Sequence, residues 1–249
     1  VCAGCITGSN GNETPTPSTD PTPSTDPTPS TDPTPAADPE PEPAWAGMTP
    51  AQKGKELVQG ILRAEYDGTY SEDSLYVQIF GIIEEQTVND HELRVGDVAV
   101  RVMQYFDINQ AKLSNDVVSE FSALIATILK SHVEYSVGDP TETAEGFSYP
   151  VTMQGSDVAG CVGSLDIMEA WFTRESEAAS IGAQKAEDNY ARAIIKLIET
   201  ALGHSDLMDA VEFSVPVKTN AAGDVWVSDS DVLSDIAAVA ICTDFPDAG

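Results

Sequence analysis

The chain has 249 residues, 41 of them acidic and 12 basic, for a formal charge of −29 with histidine neutral. A surface of that sign repels phosphate backbones and anionic headgroups, which excludes nucleic acid while tolerating cationic groups, divalent ions or peptidoglycan amines. No apolar run approaches the roughly 18 residues that span a bilayer, so membrane attachment has to come from elsewhere.

The N-terminus reads Val1-Cys2-Ala3-Gly4-Cys5. Cys2-Ala3-Gly4-Cys5 looks like the end of a bacterial lipobox, with small Ala3 and Gly4 before the cysteine and Cys2 where leucine is usual. The expectation is that the sequence starts inside its own leader and that Cys5 becomes the first mature residue, carrying diacylglycerol. Two acyl chains hold a protein on a membrane because each buried CH₂ contributes roughly 0.8 kcal/mol. The competing reading of Cys2 and Cys5 as a metal or redox pair lacks a second pair or a βαβ setting. The expected location is therefore the extracellular face of the bacterial cell membrane.

Residues 1–13 are read as this mature start and 14–45 as a linker. Pro15–Asp20 spells PTPSTD, repeats at Pro21–Asp26 and Pro27–Asp32, then decays to PTPAAD and PEPEP. Proline every second or third residue fixes φ and removes amide donors, which forbids helix and sheet. Thirty such residues, extended at roughly 3.1 Å each, reach on the order of 90 Å. The seven acids that precede Trp45 leave about −22 on the rest of the chain.

A globular domain is expected over 46–244, with a tail at 245–249. Thr49-Pro50 combines a capping hydroxyl with proline at the first helical position. Leu57, Val58, Ile61, Leu62 and Tyr66 follow at helical spacing, and Gly68 ends the helix. A second helix is expected from Ser71 with Leu75, Ile79, Ile82 and Ile83 on one face. A third runs from about Asp97 to Phe106. A fourth, capped by Ser114, carries Val117, Val118, Phe121, Leu124, Ile125, Ile128 and Leu129. The period then changes to two over His132–Val137 and Phe147–Met153, with turn residues between them, which predicts a hairpin. Gly155–Gly163 reads as irregular, Ser164–Thr173 as a helix, and Ala178–Leu202 as a longer one. Val211–Val217 and Val225–Val227 form a second hairpin around Asn220–Gly223, and Ser228 or Asp229 caps a closing helix. Helices segregated from antiparallel pairs define an α+β class, with two hairpins forming a curved sheet and the helices on one face.

Three stretches carry a family resemblance: Leu62–Tyr70, Val133–Asp139 with Phe147–Met153, and Val215–Lys218 with Gly223–Ser228 and Asp231–Leu233. Together they resemble a Gram-positive lipoprotein family whose C-terminal α+β domain has no known function, over roughly Thr49 to Ile241. The resemblance implies a cone-shaped fold akin to the nuclear-transport-factor-2 or cystatin type. It implies no activity, cofactor or catalytic residue.

Residues able to do chemistry are few. His91 and His204 read as helix-end histidines favoured by the dipole, and with His132 they have no ligand spacing. Ser228-Asp229-Ser230-Asp231 lacks the glycine and terminal glutamate of a calcium loop and reads as a helix cap. Glu84-Glu85 and Glu175 with Glu177 read as solvated helix charges. No nucleophile elbow, phosphate loop, dinucleotide fingerprint or zincin motif occurs. The expectation is no cofactor, no metal and no catalytic site. Trp226 is expected in the core, Trp45 against the domain edge, and Trp171-Phe172 in the core or lining a pocket. Cys161 and Cys242 form either a disulfide, which would contribute roughly 4 kcal/mol, or two free buried thiols. A displayed module binding an extracellular small molecule, peptide or cell-wall ligand leads. An envelope-structural protein and a hydrolase without a motif stand behind it.

Overall fold

The computed structural model describes residues 43–203, 207–229, 231–233 and 235–236. The expected lipid site at Cys5, the repeats, His204 and Cys242 lie outside the described residues, as does the side chain of Cys161, so the expected disulfide does too.

The first helix, α1 (Pro50–Leu62), starts where the sequence places it. Gln52 N–H donates to Thr49 Oγ1 at 3.2 Å, and Thr49 N–H donates to Gln52 Oε1 at 2.9 Å. This reciprocal capping box satisfies two otherwise orphan donors. Leu57, Val58 and Leu62 are buried, and one π-helical turn (Arg63–Asp67) extends the helix to Gly68 and buries Ala64 and Tyr66. Gly60 lets the next element approach: a Cβ there would meet the Tyr76 ring at 2.0 Å.

The next two helices correct the sequence reading. α2 (Leu75–Phe80) begins at Ser74, whose hydroxyl accepts from Val77 N–H, rather than at Ser71. Ile83 is exposed and leads into α3 (Glu84–Tyr105), which starts about four turns before Asp97. The early turns of α3 escaped detection because their buried face is Thr87 and Arg94, not an apolar stripe. After a short 3₁₀ turn (Gln110–Lys112), α4 (Asn115–Ser131) buries Val117, Phe121, Leu124, Ile125, Ile128 and Leu129, matching its heptad-like pattern.

The sheet holds β1 (Glu134–Val137), β2 (Thr141–Thr143), β3 (Gly146–Gln154), β4 (Val211–Thr219) and β5 (Val225–Val227), all antiparallel, in the order β1-β3-β4-β5. β1 and β2 are two pieces of one edge, interrupted at Gly138-Asp139-Pro140, and both pair with β3. The long β3–β4 pairing, Gly146↔Lys218 through Met153↔Val211, joins the two hairpins into one curled sheet. Tyr149, Val151 and Met153 from β3 face inward with Val215 and Val217 from β4. α1 lies on this face, with α3 and α4 behind it.

Between β3 and β4 the chain forms α5 (Val158–Cys161), α6 (Ser164–Ile181) and α7 (Ala183–Leu202). The expected break between Thr173 and Ala178 does not occur. The chain turns at Gly182, with φ 91° and ψ 150°, a conformation almost confined to glycine. Trp226 also departs from expectation. It is 44% exposed because it pairs opposite Lys218, on the outward face, while Val225 points inward. Residues 231–233 and 235–236 are helical, with Leu233 and Ile236 buried, and Asp231 N–H donates to Asp229 Oδ1, as a cap run predicts.

Candidate functional site

The helical pair α6–α7 carries the most unusual surface of the described residues. α7 has one continuous inward stripe, Ala186, Tyr190, Ala191, Ile194 and Ile198, all buried. α6 packs against the core through Ile167 and Ala170, yet its one buried residue is Arg174. On its opposite side Leu165, Met168 and Phe172 recur at i, i+3 and i+7, so they share one face. They are exposed to 79%, 51% and 58% respectively. Trp171 sits beside them, edge-on to Phe172 at 5.2 Å between ring centroids. It does not enter the core, and it lies outside the groove between the two helices.

Arg174 pins the pair to the rest of the domain. Its Nη1 donates to the Asp107 carbonyl at 2.7 Å and to Glu187 Oε1 at 3.3 Å, and its Nη2 donates to Asp107 Oδ2 at 3.0 Å. Nε donates to Glu175 Oε1 at 3.2 Å. The guanidinium also lies 4.6 Å from the Tyr190 ring centroid and 5.7 Å from that of Trp171. Glu187 in turn accepts from Asn109 N–H at 2.7 Å, and the Tyr190 hydroxyl donates to the Phe106 carbonyl. Asp107 adopts φ 54°, unusual outside glycine, and so aims both its carbonyl and its carboxylate at the same arginine. With Nε and both terminal nitrogens donating, this arginine acts as a fastener rather than an anion receptor.

Among the described residues, grooves lie on both sides of α7. One of about 420 Å³ runs between α6 and α7, with Ala170, Ala193 and Leu197 as apolar floor and Glu169, Asn189 and Lys196 among its polar walls. The other, about 650 Å³, lies between α4 and α7 and holds Glu120, Thr127, His132, Ile195 and Glu199. Both are open clefts.

A second cluster surrounds the π-helical turn. Arg94 donates from Nε and Nη2 to Glu65 Oε2, at 3.0 and 2.7 Å. Burial pushes the Glu65 carboxyl above its ordinary range, and the Arg94 charge offsets this only in part. His91 Nδ1 lies 2.9 Å from the Glu65 carbonyl, and the Tyr135 hydroxyl donates to Asp67 Oδ2 at 2.7 Å. Among the described residues the Tyr66 hydroxyl is buried without a hydrogen-bond partner, and burial raises its pKa. Burial likewise pushes Tyr76 up to about 12. The groups are close-packed around one another, which suits a structural knot.

The residues singled out in the sequence scatter. His91 lies within α3 rather than at its end, and His132 follows the last turn of α4. Glu84 and Glu85 are exposed in the first turn of α3, while Glu177 accepts from Asn189 Nδ2 at 2.9 Å. Lys53 lies 5.9 Å from the Trp45 ring centroid, which ties Trp45 to the start of α1. Among the described residues no three His, Cys, Asp or Glu side chains converge on a metal-sized point. Also among them, no helix is long and apolar enough to cross a membrane. Sequence reasoning missed Arg174 and the Leu165/Met168/Phe172 face. The second was detectable as an apolar i, i+3, i+7 set on a helix that already had an inward stripe.

No protein-family model matches this chain, and no curated protein matches it. Its fold is similar to a crystal structure from Bacillus subtilis subsp. subtilis strain 168, that of ycdA, described as a candidate lipoprotein. The TM-score is 0.51 at 13% identity, over 78% of this chain and 57% of that one. The match thus spans little more than half of that protein, and at this identity the likeness is one of fold.

Proposed function

We propose that this chain is a lipid-anchored protein of the outer face of a bacterial cell membrane, whose α+β domain is a binding module presented through α6. The anchor is diacylglycerol on Cys5. What supports it is the Cys2-Ala3-Gly4-Cys5 motif, the proline repeats that follow, and the fold shared with a Bacillus candidate lipoprotein. A curled sheet with helices on one face also supports the cone-type α+β resemblance. The observation that carries the binding reading is the exposed Leu165/Met168/Phe172 face on a chain of charge −29. Large apolar side chains grouped on a soluble surface mark interaction sites, whereas scattered ones are ordinary.

The test of anchoring is intact-mass analysis and fractionation of cells expressing the chain behind a full leader. A diacylglycerol-sized mass on the protein, lost together with membrane retention in Cys5→Ala, is the expected result. An unmodified, soluble wild type overturns the anchor and reopens the pairing of Cys2 with Cys5.

A further inference from the structure

We infer that the outer face of α6 docks a cationic amphipathic helix of a partner protein. The inference rests on the reading of the domain as a displayed binding module, and it names the chemistry of what is bound.

The face has the form of a helix-recognition surface. Leu165, Met168 and Phe172 form a ridge along α6, and the ridge runs on to Ala179 at the same helical spacing. Phe172 is held edge-on by Trp171, so the largest anchor is partly pre-ordered. At 1.5 Å per residue the 18 residues of α6 span about 27 Å, enough for several turns of a partner helix to lie alongside. Aromatic and methionine side chains are the types enriched where interfaces bury their centre.

Charge selects the occupant. The helical wheel places Glu169 on one side of the ridge and Glu175 on the other, and both are exposed. Asp166 and Glu177 lie further round the helix, and the helix's one cation, Arg174, is buried and donates to Asp107, Glu175 and Glu187. An apolar ridge between acidic flanks matches apolar anchors flanked by lysine or arginine. A second copy of this chain would set acid against acid across the ridge, with −29 on each partner. An anionic membrane surface is disfavoured by the same sign.

The probe is a fluorescent amphipathic helical peptide built of leucine and lysine, titrated into the full chain by anisotropy at low and high salt, with a leucine–glutamate peptide beside it. The lysine peptide is expected to bind, more weakly as salt rises, and the glutamate peptide to fail. Leu165→Ser with Phe172→Ser should weaken binding by about tenfold or more, as loss of central anchors does. Glu169→Gln with Glu175→Gln should weaken it and flatten the salt dependence. Glu134→Gln with Glu142→Gln, the same charge change on β1 and β2, should leave it unchanged. If the double serine variant loses its helical circular dichroism, Met168→Ser takes its place with the same expectation.

Absence of binding, or equal losses in the ridge variant and the β1/β2 control, overturns the proposal. So does each result that names another occupant. These are concentration-dependent dimers abolished by the serine variant, co-sedimentation with zwitterionic vesicles abolished by it, and peptide binding that appears only after deletion of residues 237–249. All of these readouts are independent of lipid on Cys5, so failure here leaves the anchoring experiment to stand or fall by itself.

Discussion

α6 and α7 are neighbours of similar length, 18 and 20 residues, joined by a single glycine, yet they are held by different physics. α7 is a core helix. Its Ile194 and Ile198 are fully buried, and its stability comes from apolar surface removed from water. α6 touches the core through a narrow inward stripe and one fastened arginine, and it turns its largest side chains outward. A helix stabilised in this way can lose its outer side chains without unfolding, which is what the proposed docking on that face requires.

Cutting into α7 should produce the largest effect. Ile194→Ala is expected to cost about 3–4 kcal/mol of unfolding free energy, as buried aliphatic truncations do, measured by urea denaturation. A loss under 1 kcal/mol would mean that α7 is not part of the cooperative core.

Arg174→Ala tests the fastener. It strands Glu187, a buried carboxylate, with the Asn109 amide as its remaining neutral donor. About 3 kcal/mol is expected from the unpaired buried charge, visible in the same urea transition. A near-neutral result would mean that α6 relaxes and hydrates Glu187.

At the joint itself, Gly182→Ala meets no atom within 4 Å, so its cost is purely the backbone strain of φ 91°. About 2 kcal/mol follows from that strain, read from the thermal midpoint. An unchanged midpoint would show that the turn relaxes at no cost.

The other buried arginine sharpens the contrast by pH. Burial raises the Glu65 pKa above 4.5, so the folded state holds that proton more tightly than the unfolded one. Its favourable contribution is therefore complete below the unfolded value and is lost as pH rises through the folded one. The stability of wild type minus that of Glu65→Gln should fall from pH 4 upward, followed by urea midpoints at successive pH values. A difference that rises instead would show that the Arg94 pair outweighs burial.

The smallest effect belongs to the outer ridge. Phe172→Ser is expected to shift stability by no more than about 0.5 kcal/mol, as exposed substitutions do. A loss above 1 kcal/mol would make Phe172 a packing residue and withdraw the contrast with α7.

Local sequence signals were enough for much of this architecture. The Thr49-Pro50 start, the α4 stripe and the period-two alternation of β3 and β4 are consequences of backbone geometry acting within a few residues, and each appears where the pattern places it. The acidic balance and the proline repeats are likewise properties of composition. Tertiary structure alone decided the rest. The early turns of α3 bury Thr87 and Arg94, and polar residues become a buried face only when a partner such as Glu65 arrives from 29 positions away. Trp226 points outward because its strand pairs Lys218 across from it, a register that no local pattern reveals. Arg174, to which the sequence alone assigned no role, is fastened because Asp107, Glu187 and Tyr190 converge on it from other elements. Helix and strand signals are short-range and therefore readable along the chain, whereas the choice of which face meets the core is made by long-range packing.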